Sequence, residues 1–481
     1  MDANGIAVKF KARLVAVGSR QPIGTFGSCG SATSRQITVK TFIAGAAARG
    51  KKVVGYDVPE AYLQATTAEA STTDGDPNIV VRMPDGSFKK LKKFLYGLKQ
   101  SGAEWFDRYS KFLISLGYDR SETEPCLWMW RENREAIFGQ PLGSDERYHL
   151  LCVFVDDNLA YGNCDVARDF FEAEFEREFG ECARKEGVFT FLGMLIDCQS
   201  EGEIVISMPN YAQKVVAAGG IHEAKTSSIP GISHWSDKNV AVDPDDLEPA
   251  DQIEYMRLMG VVNFFAITLR FDLLNCVSRL SQYMQAPLMC HMKQLRKICA
   301  YVNGSKDIVL TYRRSTDFKL RAFVDASHDS NLGSKGQSGN AIFFGTNSGA
   351  IGAKSSKQKD VAMSSAEAEL IALLDLLREI IWIEEILEDM GFERSGPVEV
   401  YEDNAATFVY GEGGGDYGRT KHMRRKIANV AEFIKSGLAV MIKVDSASNI
   451  ADMLTKQGLV ASFLFLRYGL FNGPFTAQDS L

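Results

Sequence analysis

The chain has 481 residues, room for about three domains of ordinary size. Hydrophobic residues make up 45% and charged residues 24%, the balance of a globular protein that buries its own cores without staples. Nine scattered cysteines with no CxxC exclude a secreted disulfide framework and a cysteine-rich zinc site. The six dispersed histidines form no HExxH, no charged-then-apolar leader pattern opens the sequence, and no apolar run approaches the roughly 20 residues that span a bilayer.

A net charge of −7 argues at first against nucleic acid, but its distribution reverses the argument. Residues 9–52 hold nine Lys/Arg and no acid, 293–321 hold eight against two acids, and 419–443 hold seven against one. Binding to phosphates depends on local basic faces rather than on the total.

The elements follow in chain order. Val53–Val54 starts a strand leading to Asp57. Ser101-x-x-Glu104 reads as a capping box, with Trp105, Tyr109, Phe112, Leu113 and Leu116 at helical spacing and Gly117 as the stop. Tyr148–Val155 is an apolar strand halted by two aspartates, and 158–161 is its hairpin partner. Phe171, Phe175 and Phe179 form the buried stripe of an amphipathic helix. Residues 223–251 read as a polar connector, and a second break falls at 311–317. Leu320–Val324, 341–345 and 398–401 read as strands. Ser364-x-x-Glu367 caps a helix that buries Leu370, Leu373, Leu374 and Leu377. This irregular mixture is α+β rather than a repeating βαβ barrel.

Two constellations carry chemistry. Asp156 and Asp157 sit side by side in Phe154-Val155-Asp156-Asp157, after a wholly apolar strand. An isolated Asp-Asp is ordinarily a solvated turn. Placed within a core, the pair needs a cation, and Mg²⁺ accepts one or two carboxylates plus substrate phosphates. Asp57 is the candidate third acid. Downstream, Asp325 and Asp403 end strands, Glu369 lies on the capped helix, and Asp452 sits in Asn449-Ile450-Ala451-Asp452. Glu367 competes with Glu369, but capping already accounts for Glu367. Gly413-x-Gly415-x-x-Gly418 fits a dinucleotide pattern formally and lacks the strand-to-helix context that pattern needs.

FVDD preceded by DVPEAYLQA resembles the palm of a reverse transcriptase. Leu95-Tyr96-Gly97-Leu98-Lys99-Gln100 with Trp105, Lys11-Ala12-Arg13-Leu14-Val15-Ala16, Phe191-Leu192-Gly193 and Asp272 in TLRFDLLNCVSRLSQYM resemble copia-type LTR retrotransposon polyproteins, in matching order along nearly the whole chain. The string KGQSGNAIFFGTNSGAIGAKSSKQKDVAMSSAEAELIAL resembles the ribonuclease H of the same family, and its four acids resemble the DEDD set. There are departures: Phe154 stands for the usual Tyr, Ser101-Gly102 for Ala-Pro, and Phe271 for the Pro of the family's TRPD string.

The resemblance implies a right-hand polymerase of fingers, palm and thumb, followed by a ribonuclease H-like mixed sheet with helices. The expected boundaries are 1–200 for fingers and palm, 201–318 for thumb and connection, 319–460 for ribonuclease H and 461–481 for a tail. It implies metal ligation by Asp57 and Asp156, with Asp157 completing the acidic cluster, and by Asp325, Glu369, Asp403 and Asp452. Two Mg²⁺ per active site are expected, with Mn²⁺ as the substitute. Lys11 and Arg13 become charge clamps on the incoming triphosphate, and Tyr62 the aromatic that blocks a ribose 2′-OH. Tyr96, Gly97, Leu98 and Gln100 pack beside nucleotide and template, and Lys421 and His422 meet hybrid phosphates. The implied partners are RNA template, DNA primer, RNA–DNA hybrid and dNTPs, with no membrane. The implied location is the cytoplasm, in a virus-like particle, with the nucleus as a second compartment. A competing reading is a decayed or co-opted fragment that binds nucleic acid without catalysis. Phe154 and a start inside the fingers favour it, and the seven retained acids disfavour it.

Overall fold

The computed structural model describes residues 14–27, 29–67, 79–133, 140–222, 224–231, 244–331, 333–411 and 423–474. The architecture mixes helix and sheet in two compact units. One takes the described residues within Met1–Ser34, Val54–Phe138 and Ser144–Lys185; the other takes those within Arg35–Val53, Gly139–Gly143 and Glu186–Leu481.

The first unit is built on a five-stranded antiparallel sheet ordered Val54–Asp57, Asp157–Gly162, Tyr148–Phe154, Leu127–Arg131, Asp119–Arg120. Tyr148–Phe154 is central and buried over its first six residues, which is why its sequence is continuously apolar rather than alternating. Helices Ser101–Ser115 and Asp165–Phe179 lie in one core with this sheet. Trp105, Tyr109 and Leu113 from the first, and Phe171, Phe175 and Phe179 from the second, join Tyr56, Leu151 and Val153. Each buried Phe contributes about 1.5–3 kcal/mol, so Phe175→Ala, which also leaves a cavity, costs about 3–5 kcal/mol.

The expected capping box at Ser101 does not form. The helix starts on Ser101 itself after Gln100, and the Ser101 hydroxyl donates instead to the Leu95 carbonyl at 2.6 Å. Gly117, at φ +81°, ends the helix in the left-handed region that glycine tolerates.

The second unit holds two sheets. Four antiparallel strands run in the order Leu310–Arg313, Glu203–Ser207, Met194–Asp197, Val188–Phe191. Thus 311–317, where the sequence reading places a break, begins inside a strand paired with Glu203–Ser207. The other sheet has the order Ala350–Lys357, Lys335–Phe344, Leu320–Asn331, Val398–Glu402, Ala439–Lys443. Its first three strands are antiparallel and the last two run parallel to Leu320–Asn331. Helix Ser365–Asp389 packs against Leu320–Asn331, burying Leu370, Leu373, Leu377 and Ile380. Ser364 caps it, accepting from the Glu367 N–H at 3.2 Å, while the Glu367 carboxylate accepts from the Met363 N–H at 2.9 Å.

The stretch expected as a tail carries a helix, Val460–Asn472, with Phe463, Leu466, Leu470 and Phe471 buried. The expected connector at 223–251 holds, among its described residues, the short 3₁₀ turn Pro244–Leu247 and an isolated antiparallel bridge from Pro249 to Leu288. Asp272, singled out by sequence, is buried in a bidentate pair with Arg270 at 2.9 and 2.7 Å, and accepts from the Tyr301 hydroxyl at 2.5 Å. Helix Gln36–Ala48 buries Lys40, whose ammonium donates to Gln36 Oε1 at 3.4 Å and lies 5.3 Å from the Phe271 ring.

Candidate active sites

In the first unit, Asp57 closes its strand directly opposite Asp157, the first residue of the neighbouring strand. Phe154 pairs with Asp157, so Val155 and Asp156 form the two-residue hairpin turn. Val155 adopts φ +57°, a rare backbone state for a β-branched residue. The turn is anchored from two sides. The Trp105 indole N–H donates to the Val155 carbonyl at 2.7 Å, and the Val58 N–H donates to the Asp156 carbonyl at 2.8 Å.

Like charges facing across a strand pair repel. Lys185 answers them, its ammonium 3.7 Å from Asp157 Oδ1 and 4.0 Å from Asp57 Oδ1. Burial raises the Asp157 carboxyl above its usual range, with Asp156 and Asp57 adding to the rise and Lys185 opposing it. Lys185 is absent from the sequence reading, because nothing in its local string marks it. Tyr62 lies on the short helix Ala61–Gln64, half-buried, its ring 4.8 Å from that of Tyr96 at a 55° tilt. Its hydroxyl is pushed up by burial and then by the charge of Asp156, which places it within electrostatic reach of the turn.

The LYGLKQ segment is held by backbone. The Ala16 N–H donates to the Tyr96 carbonyl at 2.7 Å. Gly97 sits at φ +90°, and a Cβ there would meet the Ala16 carbonyl oxygen at 2.1 Å, so the position admits only glycine. Gln100 is fully buried; its Oε1 accepts from the Gln21 amide at 3.0 Å, and its own amide nitrogen has no partner among the described residues.

In the second unit, Asp325 on strand Leu320–Asn331, Glu369 on helix Ser365–Asp389 and Asp403 just past strand Val398–Glu402 bring carboxylate oxygens within 4.8 Å of one another. It is the one acidic group gathered this closely among the described residues; Asp57, Asp156 and Asp157 are not. Each acid is positioned by neighbours. The Thr455 hydroxyl donates to Asp325, the Ser446 hydroxyl to Asp403, and the buried Asn449 amide donates to the Val324 carbonyl at 2.9 Å. Gln358 ties the sheet to the helix that bears Glu369, donating to the Ala368 carbonyl at 2.8 Å.

Burial and mutual repulsion raise these carboxyls. Glu369 is pushed up to about 11, by burial first and then by Glu402, Asp325 and Asp403. Asp452 is pushed up to about 7 by burial and Asp325, against the pull of Lys456, whose ammonium is 2.7 Å away. Asp325 is raised by burial, with Asp403 adding to the rise and Lys456 and the Thr455 hydroxyl opposing it. An oxygen-only donor set with a buried, unpartnered Glu369 Oε2 fits a hard divalent cation such as Mg²⁺.

Glu402 and Lys456 belong to this neighbourhood and are missing from the sequence reading. For Glu402 a signal exists: it continues the buried alternation Val398, Val400, Glu402 on the inward face of its strand. Lys11, Arg13, Lys421 and His422 lie outside the described residues. Of the basic residues following them, Lys426 is paired with Glu367 at 3.1 Å.

Residues 1–233 match the family model for reverse transcriptase (RNA-dependent DNA polymerase). Over 95% of its length the chain is 25% identical to the retrovirus-related Pol polyprotein from transposon TNT 1-94 of Nicotiana tabacum, and 26% identical to that from transposon RE2 of Arabidopsis thaliana. The chain spans about a third of the length of these relatives, 33% and 30%. The expected likeness to copia-type retrotransposon Pol polyproteins therefore holds. Among solved structures, a ribonuclease H1 isolated from compost matches with 19% identity over 29% of this chain and 93% of its own, at a TM-score of 0.23.

Proposed function

We propose that the chain is the polymerase and ribonuclease H portion of a copia-type retrotransposon Pol polyprotein. It copies RNA into DNA and degrades RNA in RNA–DNA hybrids, with an RNA template, a DNA primer and dNTPs as partners. Residues 1–200 act as fingers and palm, 201–318 as thumb and connection, and 319–460 as ribonuclease H. Cytoplasmic particles and then the nucleus are where such chemistry takes place.

One observation carries this reading: the reverse transcriptase match over 1–233 is followed, in the same chain, by a buried Asp325–Glu369–Asp403 cluster on a mixed sheet. When bound, divalent cations supply Lewis-acid stabilisation of phosphate oxygens and an activated attacking oxygen. In the polymerase, Asp57 and Asp156 would hold the cations that face the α-phosphate and the primer 3′-OH, and Asp157 completes the acidic cluster. Tyr62 excludes the ribose hydroxyl, Tyr96, Gly97 and Gln100 shape the nucleotide side, and Lys11 and Arg13 clamp the triphosphate. In the ribonuclease H, Asp325, Glu369, Asp403 and Asp452 hold the cations, and Lys421 and His422 bind hybrid phosphates.

Extension of a DNA primer on an RNA template by the purified chain with Mg²⁺, together with cleavage of a labelled RNA–DNA hybrid, tests both halves. Loss of both activities would leave the second reading, a fragment that binds nucleic acid without catalysis. That reading has its own support in Phe154 and in Lys185, whose ammonium sits beside Asp57 and Asp157.

A further inference from the structure

Lys40 is the sole charged residue of helix Gln36–Ala48, and it is 1% exposed. An ammonium has three donors. This one meets a single acceptor, the neutral Gln36 Oε1, at 3.4 Å, which is long for a hydrogen bond. No carboxylate pairs with it among the described residues. Its other neighbour is the Phe271 ring, 5.3 Å away. Gln36 and Phe271, which flank the ammonium, line a cavity of about 290 Å³ together with Lys40 itself. Ile37, Ile267, Ile342 and Ile351 supply apolar wall, and the buried Asn340 a polar one. Three other charged residues line the cavity. Arg35 and Glu379 pair with each other at 2.9 Å, and Lys354 is exposed. The buried positive charge therefore has no counter-charge of its own.

Burying an unpaired ammonium is costly, and a methionine would fill the same space without that cost. The first turn of the helix lies on the same wall and holds no acid, so its partial positive charge adds to that of Lys40. An anion in the cavity supplies what is missing. The volume is at the low end of the range of about 300–1,000 Å³ typical of ligand pockets, so it admits a small molecule only. The isoleucines and Phe271 suit a hydrocarbon body better than a hydrated inorganic ion. We propose that this cavity binds a small carboxylic acid with an apolar body, its carboxylate on the Lys40 ammonium and the Asn340 amide, its body among Ile37, Ile267, Ile342, Ile351 and Phe271. None of these residues belongs to either acidic cluster, and the site stands whether or not the chain is catalytic.

Isothermal titration calorimetry of the full chain with benzoate and with cyclohexanecarboxylate tests this. Benzamide serves as the uncharged isostere and inorganic phosphate as the anion without an apolar body. Both carboxylates should bind about tenfold or more tighter than benzamide or phosphate, the order of a charge-assisted hydrogen bond. Lys40→Met should weaken carboxylate binding by a similar factor in a chain that still melts cooperatively. Lys40→Gln is the second variant, for the case that methionine is not accommodated. Lys354→Ala, which removes an exposed charge from the wall, should keep most of the affinity. Burial holds Lys40 at about 7, and a carboxylate beside it restores the ammonium. At pH 8 the parent should therefore take up protons from the buffer on binding, and Lys40→Met fewer, with Arg35, Lys354 and Glu379 facing the cavity in both. Three results overturn the proposal: unchanged benzoate affinity in a folded Lys40 variant, benzamide or phosphate bound as tightly as benzoate, or binding by neither carboxylate.

Discussion

The indole N–H of Trp105 donates to the carbonyl of Val155 over 2.7 Å, and Val155 holds φ at +57°. A left-handed backbone on a β-branched residue costs roughly 1–3 kcal/mol and persists only where neighbours over-determine it. Trp105, itself buried in the aromatic core, is one such neighbour. Trp105→Phe keeps most of the packing and leaves the carbonyl without its donor. It should lower stability by about 1–3 kcal/mol. Adding Val155→Gly, which removes the strain, should recover part of that loss. Guanidinium denaturation of the two single variants and the double variant measures the coupling, and strict additivity would mean the bond does not hold the turn.

Lys40 makes a second prediction about stability. Burial lowers its ammonium from the usual range to about 7. Below pH 7 the folded chain carries a buried charge at a cost; between about 7 and 10.5 the unfolded chain binds the extra proton. Stability contributed by this group therefore rises with pH across that window and levels off above it. Lys40→Met should be more stable than the parent at pH 6 by a few kcal/mol, with the difference shrinking toward pH 10. Thermal melts at pH 6, 8 and 10 would record the convergence.

Asp272 is expected to act through the fold. Its carboxylate holds the buried Arg270 and accepts from Tyr301, whose hydroxyl in turn accepts from Arg467 at 2.8 Å. Asp272→Ala leaves a guanidinium buried without its counter-charge and should cost about 3–5 kcal/mol. Replacing both Arg270 and Asp272 with apolar residues of similar volume should recover much of it. A drop in denaturation midpoint for the single variant alone is the expected pattern.

The two sets of acids fall in separate compact units, so their chemistries should be separable. Asp403→Asn should stop RNA cleavage in a hybrid and leave DNA synthesis largely intact. Asp156→Asn should do the reverse, since under the proposed function each removes one charge from a cluster that would stabilise transition-state oxygens. Equal loss of both activities in a chain still folded by circular dichroism would tie the sites together.

How much of this was legible beforehand depends on range. The hairpin and the Phe171–Phe175–Phe179 stripe could be read because an apolar run and a 3.6-residue period are local signals. The choice of Glu369 over Glu367 rested on a local cap, and in the structure Glu367 does accept from the Met363 N–H while Glu369 joins Asp325 and Asp403. Ser101 misled because a Ser-x-x-Glu spacing does not say which side of the helix boundary the serine occupies. Lys185 was invisible because it reaches Asp57 and Asp157 across more than a hundred and across nearly thirty residues of chain. Glu402 was hidden by its neighbour: beside a candidate ligand, an acid reads as more of the same, and only the alternation with Val398 and Val400 marks it as buried.

Tyr62 carries the last prediction. A DNA-making polymerase rejects ribonucleotides that differ by one hydroxyl, and attraction cannot do this, because every contact a dNTP makes is open to an rNTP. A clash can. Tyr62 follows Asp57 on the short helix Ala61–Gln64, its ring steadied against Tyr96 at 4.8 Å and its hydroxyl within the influence of Asp156. A ring packed on a second ring yields little when a sugar presses on it. Tyr62→Val should open the space and raise ribonucleotide incorporation by one to a few powers of ten, each worth about 1.4 kcal/mol of discrimination, with dNTP use affected less. Tyr96→Leu, which leaves Tyr62 in place but removes its support, should give a smaller rise in the same direction. Single-nucleotide incorporation of dCTP and CTP, compared as kcat/KM, decides it. An unchanged ratio in Tyr62→Val would make the residue a core aromatic and place the discrimination elsewhere in the unit.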